Sequence, residues 1–496
     1  MTFKSQHNLA SFIHSAVLNF RLQKCRQPLM LLLFSCAIGV LATSPVFAQA
    51  ELQPIQATQA ERETIEKPAA AAHGGEQKVV IDDWNAKFQS TYVWQHKRGI
   101  NAPYSGPFSL SPHPENTYTF TLTGAFGKRL WDGGEIYFDP EITQGVPLSN
   151  LSGMAGFYNG EITRASGANP ILYPVRLFVR QTWDLGGAQE TLPSEMNQLA
   201  GVVDKNRAVL TVGFLPPLDI FDNNAYAHDP RTQFMNWCNM THCAFDYAAD
   251  ARGNTWGAAL EIYRDDWVLR AGQFMQPKDP NQLPLDWQYF KHHGQNFELE
   301  HAHELSGQPG KLRFMAYRNT ARMGSFADAG SSANFAANNA AGITATGTVR
   351  KEAMKYGAGL NFEQSITSEI GIFSRLMWQD GRYETYAFTE AHRSFALGTS
   401  LNGRLWKREH DTVGIAAMHN ELSGIYRQYL AAGGLGYFIG DGKINYAGEE
   451  IVEGYYSLGI RRNVWATMDY QYILHPAYNA DRGPASIAGM RLHWEY

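Results

Sequence analysis

Acidic and basic side chains recur at alternate positions along much of this sequence, and they are the first candidates for chemistry. In GEIYFDPEIT, Glu135, Tyr137, Asp139 and Glu141 alternate with Ile136, Phe138, Pro140 and Ile142. In PVRLFVRQTWD, Arg176 and Arg180 share a register with Phe178. Glu261 and Arg270 flank the tripeptide RDD. Glu298 and Glu300 alternate with Phe297 and Leu299, and Arg313 with Leu312 and Phe314; Arg375 and Arg404 follow the same rule. Carboxylates and guanidinium groups set side by side make charge-assisted hydrogen bonds to adjacent hydroxyls. Aromatic rings beside them offer a stacking face. Such a set suits a neutral polyhydroxyl solute. The alternative is a set of charges that only pair with one another and keep an interior wet.

Other candidates are weaker. Carboxylate pairs serve glycosidases, but those need an acid and a nucleophile at set spacing. No such pair is specified here, so no catalytic residue and no enzyme are expected. His292 and His293 with His301 and His303 resemble a metal cluster. The last two fall on the face of Phe297 and Leu299 beside a short turn, so an interfacial place is expected, with no metal and no cofactor. Cys238 and Cys243, spaced C-x4-C, read in an exported chain as a disulfide closing a small loop, with a metal site as the alternative. They lie in a long segment, 217–253, with Asp219, Asp222, Asp229, Arg231, Asp246, Asp250 and Arg252. Folded inward, it narrows a pore, with Asp229, Arg231, Asp246 and Asp250 as constriction candidates. Folded outward, it is a surface loop.

The elements that carry these residues have a period of two. In WNAKFQSTYVWQ, Trp84, Ala86, Phe88, Ser90, Tyr92 and Trp94 alternate with a polar set, and TYTFTLTGAF repeats the pattern. That is the signature of strands with one apolar and one polar face. Sixteen such segments are expected, near 84–95, 116–130, 134–145, 173–185, 205–216, 254–264, 267–276, 295–305, 311–319, 354–366, 370–380, 394–407, 412–422, 448–461, 463–474 and 486–496. Short turns at 131–134, 264–266, 306–310, 367–369, 407–411 and 461–463 alternate with long loops at 96–115, 146–172, 217–253, 277–294, 320–353, 381–393, 423–447 and 475–485; residues 186–204 are the one irregular short-side turn. The expectation is therefore an all-β, antiparallel transmembrane barrel with short periplasmic turns and long outer loops. An even strand count places both termini in the periplasm. A soluble β-sandwich has no reason to sort its loops in this way.

The N-terminus sets the compartment. Arg21, Lys24 and Arg26 precede the apolar run PLMLLLFSCAIGVLA and a small-residue cleavage site after Ala48 or Ala50, which is the pattern of a secretory signal peptide. The run is short for a membrane anchor, the alternative reading. Residues 1–48 are thus a signal peptide, 49–80 a flexible periplasmic leader and 81–496 the barrel. The chain has 42 basic and 47 acidic residues, and four of the basic ones leave with the signal. An acidic remainder gives no surface for nucleic acid. The 24 Tyr, 27 Phe and 12 Trp fit aromatic girdles at two membrane interfaces, and equally a carbohydrate-binding sandwich; the loop pattern decides between them. The final strand alternates Ala488, Met490, Leu492, Trp494 and Tyr496 with Gly489, Arg491, His493 and Glu495. An alternating strand ending on an aromatic resembles the signal read by the outer-membrane assembly machinery.

Five segments resemble a known family, the carbohydrate-selective porins of the OprB type: TLTGAFGKRLWDGGEIYFDPEITQGVPLS (121–149), YPVRLFVRQTWDLGG (173–187), AHDPRTQFMNW (227–237), AFDYAADARGNTWGAALE (244–261) and YNADRGPASIAGMRLHWEY (478–496). The resemblance implies a sixteen-stranded barrel and diffusion of carbohydrate solutes across the outer membrane. It brings no catalytic residue, and the lumen residues above rest on the strand pattern. Glucose-type monosaccharides or polyols are the expected solutes, with outer-membrane lipid around the barrel. A polysaccharide-export barrel, a barrel enzyme, a general non-selective pore and a secreted soluble protein are the competing readings. An export channel for a charged polymer needs a lumen of one sign, which the mixed charges oppose. No strand singles out an interface, so a monomer and a homotrimer stand equally.

Overall fold

The computed structural model describes residues 80–161, 167–387 and 389–496. The expected signal peptide and nearly all of the expected leader lie outside them. The described chain opens with β1 (Trp84–Lys97), β2 (Glu115–Trp131), β3 (Gly134–Val146) and β4 (Ile171–Asp184). A small hairpin follows, β5 (Gln189–Leu192) and β6 (Gly201–Asp204). Then come β7 (Arg207–Leu215), β8 (Thr255–Arg264), β9 (Trp267–Met275), β10 (His293–Leu305), β11 (Gln308–Met323) and β12 (Lys351–Ser365). β13 (Ile370–Gln379), β14 (Arg393–Asn402), β15 (Thr412–Glu421), β16 (Glu449–Arg461), β17 (Val464–Leu474) and β18 (Ala485–Glu495) complete the chain.

All but β5 and β6 form one closed antiparallel barrel of sixteen strands. Each strand lies beside its neighbour in the chain, and β18 returns to β1. At that seam the Thr91 hydroxyl lies 2.8 Å from His493 Nδ1. The terminal residue finishes the ladder: the Tyr496 N–H donates to the Phe88 carbonyl at 2.8 Å, and the Phe88 N–H donates back at 3.0 Å.

The alternation sorts the side chains inside out relative to a soluble protein. On β11, Leu312 and Phe314 are 43% and 42% exposed, whereas Arg313 between them is 2% exposed. On β2, Thr117, Thr119, Thr121 and Thr123 are buried, and Leu122 and Phe126 face outward. Apolar side chains left outside in this number require an apolar solvent. None of the helices among the described residues is long and apolar enough to cross a membrane; the strands present the apolar belt.

The differences from the sequence reading have local causes. The expected segment 394–407 stops at Asn402, because the Asn402 side chain accepts from the Arg404 N–H at 2.9 Å and starts a 3-10 turn, Gly403–Trp406. Arg404 therefore stands on that turn and not on a lumen-facing strand. β11 begins at Gln308, inside the expected turn, and runs on to Met323. The irregular stretch 186–204 contains the hairpin β5–β6. A bulge between Asp139 and Pro140, opposite Arg176 and Pro174, shifts the β3–β4 register. The prolines bring no ladder donor, and a bulge is where a sheet tolerates that. It turns both Val175 and Arg176 inward.

The lipid-facing role of the outer residues predicts a graded cost. Phe314→Arg should destabilise the barrel by roughly 2–4 kcal/mol, read from urea unfolding in lipid vesicles. Phe314→Leu should leave the midpoint near that of the unsubstituted protein.

Candidate functional site: the barrel lumen

The long connection between β7 and β8 folds into the barrel. Its polar anchors reach the inner wall from β10 to β18. Asp222 receives the Arg375 Nε at 3.1 Å, the Asn361 amide at 2.5 Å, the Thr241 hydroxyl at 2.7 Å and the His242 N–H at 2.7 Å. Glu453 accepts the backbone N–H groups of Met235 and Asn236 and the side chain of Asn239. Asp246 takes Lys355 at 2.6 Å and the N–H groups of Tyr386 and Ala387. Arg491 donates to the carbonyls of Pro230 and Gln233. Burial alone pushes the Asp222 carboxyl up, but Arg375 and His242 outweigh it and hold the group well below the usual range. A buried ion pair of this kind adds little net stability but is costly to break.

Aromatic packing fixes the same loop. Phe234 meets Tyr455 at 4.9 Å and Phe373 at 5.6 Å between ring centres, and Phe245 meets Tyr317 at 5.3 Å. Tyr226 lies so close to Gly371 that a Cβ there would stand 2.0 Å from its ring. The structure joins Cys238 to Cys243 at 2.02 Å, inside this packed segment.

Among the described residues, open space lies against the other wall. A cavity of about 1170 Å³ runs along β2–β9, from Asp132 and Asp184 at the short-turn end to Asp219 and Arg252 at the long-loop end. Its lining mixes charges. Arg231 crosses from the loop to the wall, reaching Glu141 at 2.9 Å and Glu161 at 2.8 Å. Arg176 spans Asp219 at 2.6 Å and Asp139 at 3.3 Å. Arg270 gathers Glu261, Glu298 and Glu300 at 3.0, 2.8 and 3.1 Å. Three arginines lie over rings: Arg180 over the stacked pair Tyr137 and Phe178 at 5.1 and 5.3 Å, Arg207 over Tyr263 at 4.2 Å, and Arg252 over Tyr173 at 4.4 Å. Stacking occupies the face of a guanidinium and leaves its in-plane N–H donors for other partners.

The expected residues divide between wall and scaffold. Glu135, Glu141, Arg176, Arg180, Glu261, Arg270 and Glu300 line the cavity, as do Asp229 and Arg231 from the loop. Asp139, Glu298 and Arg313 are buried behind it. Arg313 ties Glu300 at 2.7 Å to Glu363 at 3.1 Å, and Glu298 accepts the Asp222 N–H at 2.7 Å. Asp246 belongs to the anchor. Asp250 sits behind Arg252, accepting its N–H at 2.8 Å. Arg129, Glu161, Tyr173, Arg207 and Tyr263 also line the cavity and were not singled out. Tyr263 was legible, two residues beyond Glu261 on the same face; Arg129 was hidden by the bulge at the end of β2. Of the histidines, His301 lies tilted against Trp267 with ring centres 4.2 Å apart, and His303 reaches Gln364 at 3.1 Å. No metal-holding group occurs among the described residues.

Residues 121–496 match the family model described as carbohydrate-selective porin, OprB family. The high-pH structure of Pseudomonas putida OprB is similar at 14% identity and a TM-score of 0.63, covering 84% of this chain and 94% of that one. The low-pH structure of the same protein aligns at 10% identity and a TM-score of 0.45, with coverage of 84% and 93%. Pseudomonas aeruginosa OccK2 (OpdF) aligns at 10% and 0.41, with coverage of 84% and 98%. No curated protein matches the sequence. The first alignment confirms the barrel fold.

Two measurements check the loop. Asp222→Asn leaves Arg375 charged and buried, a cost of about 3–5 kcal/mol. It should raise single-channel conductance and current noise in planar bilayers; an unchanged trace would show that the loop holds without this pair. Burial raises Asp250 to about 6, against its backbone donors. The group is neutral below that pH and charged above it, so ionisation weakens the folded loop as pH rises. Between pH 5 and 7 the reversal potential in a KCl gradient should move toward cation preference, and Asp250→Asn should remove that step.

Proposed function

We propose that this chain, which belongs to the OprB family of carbohydrate-selective porins, carries neutral monosaccharides and polyols passively through the passage along β2–β9. The observation that carries the reading is the lining itself. Stacked arginines and paired carboxylates alternate along one continuous cavity, so a hydroxylated ring meets donors and acceptors at each step. Glu141, Arg176, Arg231, Glu261 and Arg270 already have ion-pair partners, which keeps any single contact weak. A conducting site must bind loosely enough to release.

The family and the fold are those of channels in the bacterial outer membrane. We further propose that residues 1–48 direct export and are removed, and that the strand ending at Tyr496 is read by the assembly machinery. The polar lining argues against a pore that sorts by size alone, and its mixed sign against export of a charged polymer.

The test is liposome swelling with purified protein and sugars matched in size but differing in charge. Neutral sugars should enter fastest. Equal rates would reduce the protein to a general pore, and no swelling would reject transport. Arg252→Gln, which keeps the Tyr173 wall, should weaken sugar-induced block of ion current about fivefold, the worth of one cation–π contact.

A further inference from the structure

The connection between β4 and β7 differs from the other short-side turns. The turns after β2, β8, β10, β12 and β16 are brief, whereas this one spans residues 185–206 and forms the sheet β5–β6. Its tip, 193–200, turns back into the barrel mouth. Leu199 is 2% exposed and packs in the cluster of Tyr137 and Phe178. Its N–H donates to the Tyr137 hydroxyl at 3.1 Å. Asn85 on β1 donates to Ser194, to the Glu195 carbonyl and to the Gln198 carbonyl at 3.2, 3.0 and 2.8 Å. Ala200 and Asp82 exchange two bonds at 2.9 Å. At the apex, Asn197 adopts φ 58°, a left-handed conformation that asparagine tolerates. Its amide donates to Asp139 at 2.9 Å, and its carbonyl accepts from Arg180 at 2.8 Å. Gly127 on β2 makes room: a Cβ there would stand 2.8 Å from Tyr137 and 3.1 Å from Leu199.

The tip thus rests on β1–β4 and presents Glu195, Met196, Asn197 and Gln198 to the cavity. Asp139, fully buried behind this surface, holds the Asn197 amide in place. Arg180 makes no ion pair among the described residues and lies against two rings. The Arg180 guanidinium edge beside the polar Asn197 and Gln198 of the tip, all lining the cavity, matches a ring bearing several hydroxyls, which donates and accepts at neighbouring carbons.

We propose that the hairpin tip, with Arg180, forms a second binding constriction for a neutral polyhydroxyl ring at the periplasmic end of the passage. A solute that clears the loop at 217–253 is held again before release. Weak sites in series keep a selective path fast. The inference rests on the sugar-pore reading and adds to it where the exit is controlled.

The experiment uses the full-length protein in planar bilayers, with glucose added to one side at a time. In one variant, residues 193–200 are replaced by a two-residue Asn-Gly turn joining β5 to β6; heat-modifiable migration on gels confirms that it folds. The other, Asn197→Gly, keeps the backbone conformation and removes the amide. The shortened hairpin should raise ion conductance and shorten the glucose-induced blocks seen from the periplasmic side about fivefold, as expected for one or two lost hydrogen bonds. Asn197→Gly should shorten them at unchanged conductance. Block durations that match the unsubstituted protein in both variants would overturn the proposal, as would a rise in conductance alone, which would mark a steric neck without a site. If the unsubstituted protein shows no glucose block from either side and no swelling, the sugar reading itself fails; blocks present but insensitive to the hairpin reject the exit site alone.

Discussion

Hydrocarbon offers no partner to a backbone N–H or C=O, and the structure depends throughout on meeting that constraint. A sheet in lipid must close on itself, because an open edge would expose a row of unpaired groups. The pairing of β18 with β1, continued by Tyr496 against Phe88, removes the last edge. Closure then dictates the side chains. Alternate residues must face lipid, so they are apolar, and the rest must face inward whatever their chemistry.

An interior made of polar residues cannot collapse on itself as an oil-like core does. Here one half of it is filled by a loop of the chain's own. The anchors at Asp222, Asp246 and Glu453 let charged wall residues meet charged or backbone partners, and Phe234 and Phe245 bring aromatic packing into the same space. An unpaired buried charge costs more than a paired one, so these contacts are reciprocal: the wall holds the loop, and the loop satisfies the wall. The same division makes the passage eccentric. It follows β2–β9 because the opposite wall is occupied.

The passage chemistry follows from how its arginines are held. A guanidinium over a tyrosine ring has little freedom left, and its N–H groups project in one plane. Ion pairs with Glu141, Asp219 and Glu261 temper the positive field. The wall that results recognises hydroxyls by many modest contacts instead of one strong one, which suits passage more than capture. The hairpin β5–β6 extends the same chemistry toward the exit with residues from a turn.

Much of the barrel was legible because alternation is local. The register of Thr117 to Thr123, of Glu135 to Glu141 and of Leu312 to Phe314 follows from the pleat, and the strand count and the sorting of turns and loops follow from their order along the chain. The family resemblance rested on contiguous phrases and was likewise a property of the sequence. Arg404 was misplaced because a cap at Asn402 ends the strand early, and a cap depends on where one side chain turns. What alternation cannot report is which inward residues meet solvent. Asp139, Glu298 and Arg313 carry the same pattern as Glu141 and Arg176, yet they lie behind the wall. That outcome was decided by the loop at 217–253 and the hairpin tip at 193–200, whose partners stand up to more than two hundred residues away, as Met235 does from Glu453. Inward or outward is set by the pleat and could be read from the sequence. Wet or packed is set by long-range contacts, and only the closed barrel brings those together.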